Sequence, residues 1–242
     1  MTLIKTGLLN SIAVTIKILT LLGINKVLAI YVGPNGYAAL GQFQNAIQMI
    51  TTFASGAINT GVTKYTAEYI DDEIAQRKVW GTAGTLAIAG SLLGALIIVT
   101  CNETLARWFL NSQEYGGVFI CCAASLVFFS FNTLLLAVLN GKKEIARYVL
   151  ANIAGSVFSL VITSFMAINS GLYGALVALA VYQSFAFIVT LVLCCRSTWF
   201  KFAYFFSGFD VSIALNLSKY ALMALASAAC VPVSHMVVRE YL

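Results

Sequence analysis

Charge is scarce in this chain. Only 10% of its 242 residues are Asp, Glu, Lys or Arg and 60% are hydrophobic, whereas soluble globular domains sit near ~25% charged and ~45–50% apolar. That balance excludes an ordinary soluble fold. Histidine occurs once, as His235, and no CxxC pair occurs, so neither a metal centre nor a redox motif is expected, and no cofactor. The six cysteines stand at 101, 121, 122, 194, 195 and 230, five of them in or at the end of apolar runs. They read as small, soft packing residues. Proline occurs only at 34 and 232. No basic patch on a soluble module exists, which excludes nucleic acid as a partner.

What is present is a succession of apolar runs near ~20 residues, the length that crosses a bilayer as a helix. Between polar breaks the chain predicts seven helices, at 7–31, 37–66, 80–100, 116–139, 146–168, 172–194 and 213–238. No small-residue cleavage site follows the first run, so it reads as a retained span. The fold class is therefore all-α, a polytopic transmembrane bundle. The longest break, RSTWFKFAYFFSGFD, is aromatic and lightly charged and suits a segment lying along the membrane interface. The DDEIAQRK run reads as a solvated loop, with Lys64 and Glu68 paired one helical turn apart before it.

Basic residues orient the spans. With the N-terminus in the cytoplasm, that side holds Lys5, Lys64, Arg77, Lys78, Lys142, Lys143, Arg147, Arg196, Lys201 and Lys219. The far side holds Arg107 and Arg239, so the positive-inside rule places the N-terminus inside. Two far-side turns are alike, Gly33-Pro34-Asn35-Gly36-Tyr37-Ala38 and Gly171-Leu172-Tyr173-Gly174-Ala175-Leu176. They fit either an internal repeat of the kind transporters carry or two hairpins that arose separately.

The two remaining lysines, Lys17 and Lys26, lie inside the first span. Nine steps of about 100° put them on opposite faces. Lys17 shares its face with Thr6, Asn10 and Thr20 and lies about 15 Å into the span, near the midplane. Lys26 lies near the far end, where its stem can carry the ammonium to the interface. Gly23 between them is a place where the helix could bend. All nine acids stand near span ends or in breaks, so none pairs with Lys17 at its depth. An unpaired ammonium there marks an anionic ligand, such as a phosphate or an acidic sugar; a structural hydrogen bond into the bundle is the alternative.

The second span adds a polar stripe. Asn45, Gln48, Thr52, Ser55, Asn59 and Thr63 fall on one helical face, opposite Phe43, Ile47, Ile50 and Ala54. Such a stripe does not face lipid. It lines a hydrated cavity or glues helices together. Asn132 and Asn152 in the fourth and fifth spans read as interhelical glue. In the last span Pro232 reads as a kink and His235 as an interface residue.

The segments GINKVLAIYVGPNGYAALGQF (23–43), GAINTGVTKYTAEYIDD (56–72) and LSKYALMALASAACVPVSHMVVREYL (217–242) resemble the Wzx-type flippases for lipid-linked polysaccharide units. These belong to the multidrug/oligosaccharidyl-lipid/polysaccharide exporter superfamily and include O-antigen translocases and enterobacterial common antigen flippases. The resemblance implies a two-lobe fold, of which residues 1–195 are the N-terminal six-helix lobe. Residues 196–212 are then a cytoplasmic interfacial linker and 213–242 the first helix of a second, incomplete lobe. It implies a transporter rather than an enzyme, in the bacterial inner membrane. Its cargo would be an undecaprenyl-diphosphate-linked oligosaccharide for O-antigen or enterobacterial common antigen biosynthesis. Membrane lipid, a polysaccharide polymerase and a chain-length protein are the other expected partners. The substrate-binding candidates are Lys17, Lys26, Asn10, Asn45, Gln48, Thr52 and Asn59. A small-molecule exporter of the same superfamily and an inactive truncated remnant are the alternatives.

Overall fold

The computed structural model describes residues 3–55 and 58–223, with side chains from residue 6 onward. Pro232, His235 and most of the seventh predicted span lie outside these residues. The described residues are helical, with no strand among them. The order is α1 (Leu3–Tyr31), α2 (Gly33–Ala54), α3 (Asn59–Glu68), α4 (Glu73–Thr100), α5 (Asn102–Leu110), α6 (Gly116–Gly141) and α7 (Ile145–Cys195). Short 3-10 turns cover Gln113–Tyr115 and Phe202–Phe206, and residues 211–223 form α8. Four of the helices, α1, α4, α6 and α7, are long and apolar enough to cross a membrane.

α7 is two spans in one run. It reverses at Gly171, whose φ of 55° and ψ of −135° suit glycine alone. Gly174 closes the reversal, because a Cβ there would lie 2.1 Å from the Met166 carbonyl oxygen. The α1–α2 turn repeats the device. Gly33 has a φ of 74°, Pro34 occupies the first turn of α2, and a Cβ on Gly36 would lie 2.3 Å from Val32 Cγ1. The likeness of the two turns in sequence is thus a likeness of backbone.

The predicted second span is broken. α2 ends at Ala54, with Ser55 as its C-cap, and α3 starts at Asn59. Ala54 is pressed against α4, where its carbonyl oxygen would meet a Cβ on Gly90 at 2.3 Å. The DDEIAQRK run is not a loop. Asp72 caps α4 by accepting from the Ala75 amide at 3.0 Å, Glu73 stands in the first turn, and the rest of the run is helix. The Lys64–Glu68 pair forms, at 3.9 Å and exposed. α5 was not expected. It buries Ala106, Phe109 and Leu110 and leaves Trp108 exposed, an aromatic of the kind that marks a membrane boundary.

α6 is the centre of the bundle. It touches α2, α3, α4, α5 and α7, and 61% of its most apolar stretch is buried, against 11% for α1. Its upper half joins Phe43, Phe119, Leu126 and Leu176 in one core, with Phe43 and Phe119 edge-to-face at 5.4 Å. Its lower half joins Trp80, Leu135, Val138 and Phe205 in a second. Ser91 Oγ donates to Ser130 Oγ at 2.7 Å and Ser125 Oγ to the Ala180 carbonyl at 2.7 Å, tying α6 to α4 and to α7. Such bonds contribute about 0.6 kcal/mol each on average in membranes.

The aromatic segment after α7 is held more firmly than an interfacial strap requires. Phe205 is fully buried against α4, and Gly84 admits its carbonyl, which would lie 2.2 Å from a Cβ there. Phe202, Phe206 and Phe209 of the same segment remain exposed, as an interfacial segment demands.

Candidate functional site: a polar trough beside α1

The trough follows from three helices that turn polar faces toward one another. α1 supplies Asn10, Lys17 and Thr20, spaced seven and three residues apart on one face. The first arm of α7 supplies Tyr148, Asn152 and Ser156 at intervals of four. Gly155, Ala151 and Ala186 keep the space between them open. The second arm of α7 and α6 supply Tyr182, Gln183 and Asn132.

Four adjoining hollows make up the trough. The central one, about 220 Å³, has Lys17, Asn152 and Gln183 on its walls. Toward the end where α6 finishes lies a hollow of about 340 Å³ with Asn10, Lys17, Asn140 and Asn152. Next to it, about 260 Å³ is bounded by Asn59, Thr63, Asn140 and Tyr148. On the other flank, about 260 Å³ is bounded by Gln44, Gln48, Tyr182 and Gln183. Each hollow shares lining residues with the next.

Among the described residues Lys17 is the one cation on these walls. It is exposed on the open trough rather than buried. Among the described residues no acid lies within ion-pair distance of its ammonium. The ion pairs among the described residues are Lys64–Glu68, Arg77–Glu73 and Arg147–Glu144. Asn10, Gln48 and Asn59 also line the trough, as expected. Lys26 is exposed and lines none of the hollows. α1 runs unbroken past Gly23, where a Cβ would meet Leu160, and Lys26 stays off the hollows that Lys17 lines.

Asn45 lines none of the hollows either, and Thr52 spends its hydroxyl on the Gln48 carbonyl at 2.7 Å. The stripe of the second span is therefore divided by the break after Ala54. Gln48, Asn59 and Thr63 reach the trough, and Asn45, Thr52 and Ser55 do not. Asn132 is the glue it was expected to be, donating to Gln183 Oε1 at 2.7 Å across to α7. Asn152 is not: its amide turns back to the Tyr148 carbonyl at 2.9 Å and its side chain faces the trough. Gln183, Tyr182, Asn140 and Tyr148 were missed. The signal for the first two was the Tyr-Gln-Ser interruption of an otherwise apolar sixth span.

A polar clasp closes the end where α6 meets α7. Glu144 Oε1 accepts from Trp199 Nε1 at 2.6 Å, and Oε2 accepts from Ser197 Oγ at 3.2 Å and from Arg147. Partial burial pushes the Glu144 carboxyl up, but the hydrogen bonds from Arg147, Trp199 and Ser197 together hold it below the usual glutamate value. Lys142 lies over the rings of Trp80 and Trp199 at 5.5 and 5.6 Å, and burial there lowers its pKa.

The fold defines the class: a polytopic helical membrane protein built like one part of the MATE transporters. A MATE protein solved in complex with Br-NRF matches with a TM-score of 0.77 at 19% identity, over 96% of this chain and 55% of that one. A MOP superfamily transporter from Pyrococcus furiosus, described as having a binding pocket of reverse polarity, matches at 0.70 with 21% identity, over 93% and 52%. The chain belongs to the polysaccharide biosynthesis protein family, whose model matches residues 3–235. It is 29% identical over 243 residues to the lipid III flippase of Escherichia coli (strain K12), covering 100% of this chain and 58% of that protein. The lipid III flippase of Shigella flexneri gives the same figures. The chain thus spans just over half the length of these relatives.

Proposed function

We propose that the protein takes part in flipping undecaprenyl-diphosphate-linked oligosaccharide across the bacterial inner membrane, for O-antigen or enterobacterial common antigen assembly. The observation that carries this reading is Lys17, a lone ammonium on an open polar trough with no acid on its walls. A trough of that chemistry suits a cargo with an anionic diphosphate and many sugar hydroxyls. The names of the flippase relatives and the family support the same cargo. A cation exporter would need a carboxylate in the trough, and no acid lines it among the described residues.

In this reading residues 1–195 form one transport lobe, 196–212 a cytoplasmic linker and 213–242 the opening helix of a second lobe. The end carrying Lys142 and Arg147 faces the cytoplasm, with the N-terminus. The trough is the half of the transport path that this lobe contributes, and the second lobe faces α1. Polymerase and chain-length proteins act on the product after translocation.

The test is glycan export in cells whose own lipid-linked oligosaccharide flippase has been deleted and which express the gene for this chain. Lys17→Ala removes an interaction with a charged group, which is typically ~1.5–3 kcal/mol. Export should fall about tenfold or more relative to the unsubstituted gene at equal membrane abundance. Unchanged export with a stably inserted Lys17→Ala protein would remove the lysine from the proposal.

A further inference from the structure

The two walls of the Lys17 hollow differ in hydrogen-bond polarity. On the α6 side, a chain of side chains runs outward from the bundle. Thr190 Oγ1 shares its one hydrogen between Asn132 Oδ1 at 2.7 Å and the Ala186 carbonyl at 3.0 Å, Asn132 Nδ2 donates to Gln183 Oε1 at 2.7 Å, and Gln183 Nε2 to Tyr182 Oη at 2.9 Å. The root is anchored, since Thr190 and Asn132 are 1% and 2% exposed. Each acceptor in the chain receives one hydrogen from the donor behind it. The hydrogens left unused at the open end are the Tyr182 hydroxyl hydrogen and the second Nε2 hydrogen of Gln183. Both residues are half-buried and line the same hollow as Lys17.

The first arm of α7 presents the opposite character. Asn152 Nδ2 donates to the Tyr148 carbonyl at 2.9 Å, and Ser156 Oγ donates to the Asn152 carbonyl at 2.9 Å. The Ser156 hydroxyl hydrogen and one of the two Nδ2 hydrogens of Asn152 are thus drawn back to the helix. Asn152 Oδ1 and Ser156 Oγ are left to face the hollow as acceptors.

We propose that the Lys17 hollow is a bipartite site. Gln183 and Tyr182 donate to the oxygens of an anionic phosphate group held by Lys17. Asn152 and Ser156 accept from hydroxyls of the sugar attached to it. An ammonium with two oriented donors matches a phosphate, because charge-assisted hydrogen bonds are about twice as strong as neutral ones. The inference rests on the flippase reading and assigns it residues: one wall reads the phosphate, the other the sugar.

The test uses the 242-residue chain in lipid nanodiscs and three probes: farnesol, farnesyl diphosphate and farnesyl-diphosphate-linked N-acetylglucosamine. The unsubstituted chain should bind farnesyl diphosphate at least about tenfold more tightly than farnesol. Gln183→Leu and Tyr182→Phe should each weaken both diphosphate probes about threefold to tenfold and leave farnesol unchanged. Ser156→Ala and Asn152→Leu should weaken the sugar-bearing probe and spare farnesyl diphosphate. Tyr182→Phe keeps the ring and so serves even where Gln183→Leu lowers protein yield. If Lys17→Ala abolishes the diphosphate preference while Tyr182→Phe and Gln183→Leu leave it intact, the donor wall is wrong and the flippase reading stands. If the unsubstituted chain shows no diphosphate preference, the flippase reading falls with it.

Discussion

At the scale of single residues, two charged groups have opposite relations to their surroundings. Among the described residues the Lys17 ammonium has no ion-pair partner, and the Glu144 carboxylate has three hydrogen-bond donors. Lys17 was legible because a lysine in the middle of an apolar span is costly and no acid lies at its depth. Gln183 and Tyr182 were not, because each is one polar residue in an apolar arm. Their meaning comes from Asn132, 51 residues earlier in the chain for Gln183, and sequence spacing cannot show that approach. Glu144 leads to a pH prediction. Its pKa is depressed in the folded protein, so the stability it contributes is present above the ordinary glutamate value of 4.5. That stability is lost as pH falls through the lowered value. Acidification from pH 6 to below 4 should release Trp199 from the carboxylate, seen as a change in tryptophan emission. Glu144→Gln should flatten that transition, and an unchanged transition in the variant would place the titration elsewhere.

At the scale of elements, the long apolar runs gave themselves away and the breaks did not. α1, α6 and the two arms of α7 match their predicted spans because each is apolar over a bilayer's thickness and bounded by glycine or charge. The division of the second span at Ala54 was invisible because Ser55-Gly56-Ala57 is small and uncharged. The place where α2 ends is met by another helix, at Gly90, which admits the Ala54 carbonyl. The start of α4 was missed for the opposite reason: charges in its first turns looked like loop, although Asp72 is a cap and Arg77 pairs with Glu73 at 2.7 Å. The aromatic segment after α7 is likewise positioned by a glycine on a neighbour. Adding a Cβ at Gly84, 2.2 Å from the Phe205 carbonyl, must displace one backbone from the other. Overpacking of this kind costs ~1–3 kcal/mol. Gly84→Ala should therefore loosen the segment from α4 and speed tryptic cleavage at Lys201 several-fold. Equal cleavage rates in variant and parent would mean that the segment is held by Trp199 and Phe200 instead.

At the scale of the whole molecule, the helices build a wall with one polar side. Exposed apolar surfaces carry Leu92, Leu96 and Phe165, while α1 lines the trough and is itself little covered. The polar side is where Lys17, Asn152 and Gln183 converge. The central claim is that the diphosphate-linked cargo lies there. Photolabelling tests it most directly. A polyprenyl-diphosphate-linked sugar with a photoreactive group beside the diphosphate is irradiated with the protein in nanodiscs, and labelled peptides are mapped by mass spectrometry. The account predicts label on trough residues such as Leu21, Ala151 and Gly155, reduced at least about fivefold in Lys17→Ala, in line with losing a hydrogen bond to a charged group. Label confined to Leu92, Leu96 and Phe165, unaffected by Lys17→Ala, would contradict it.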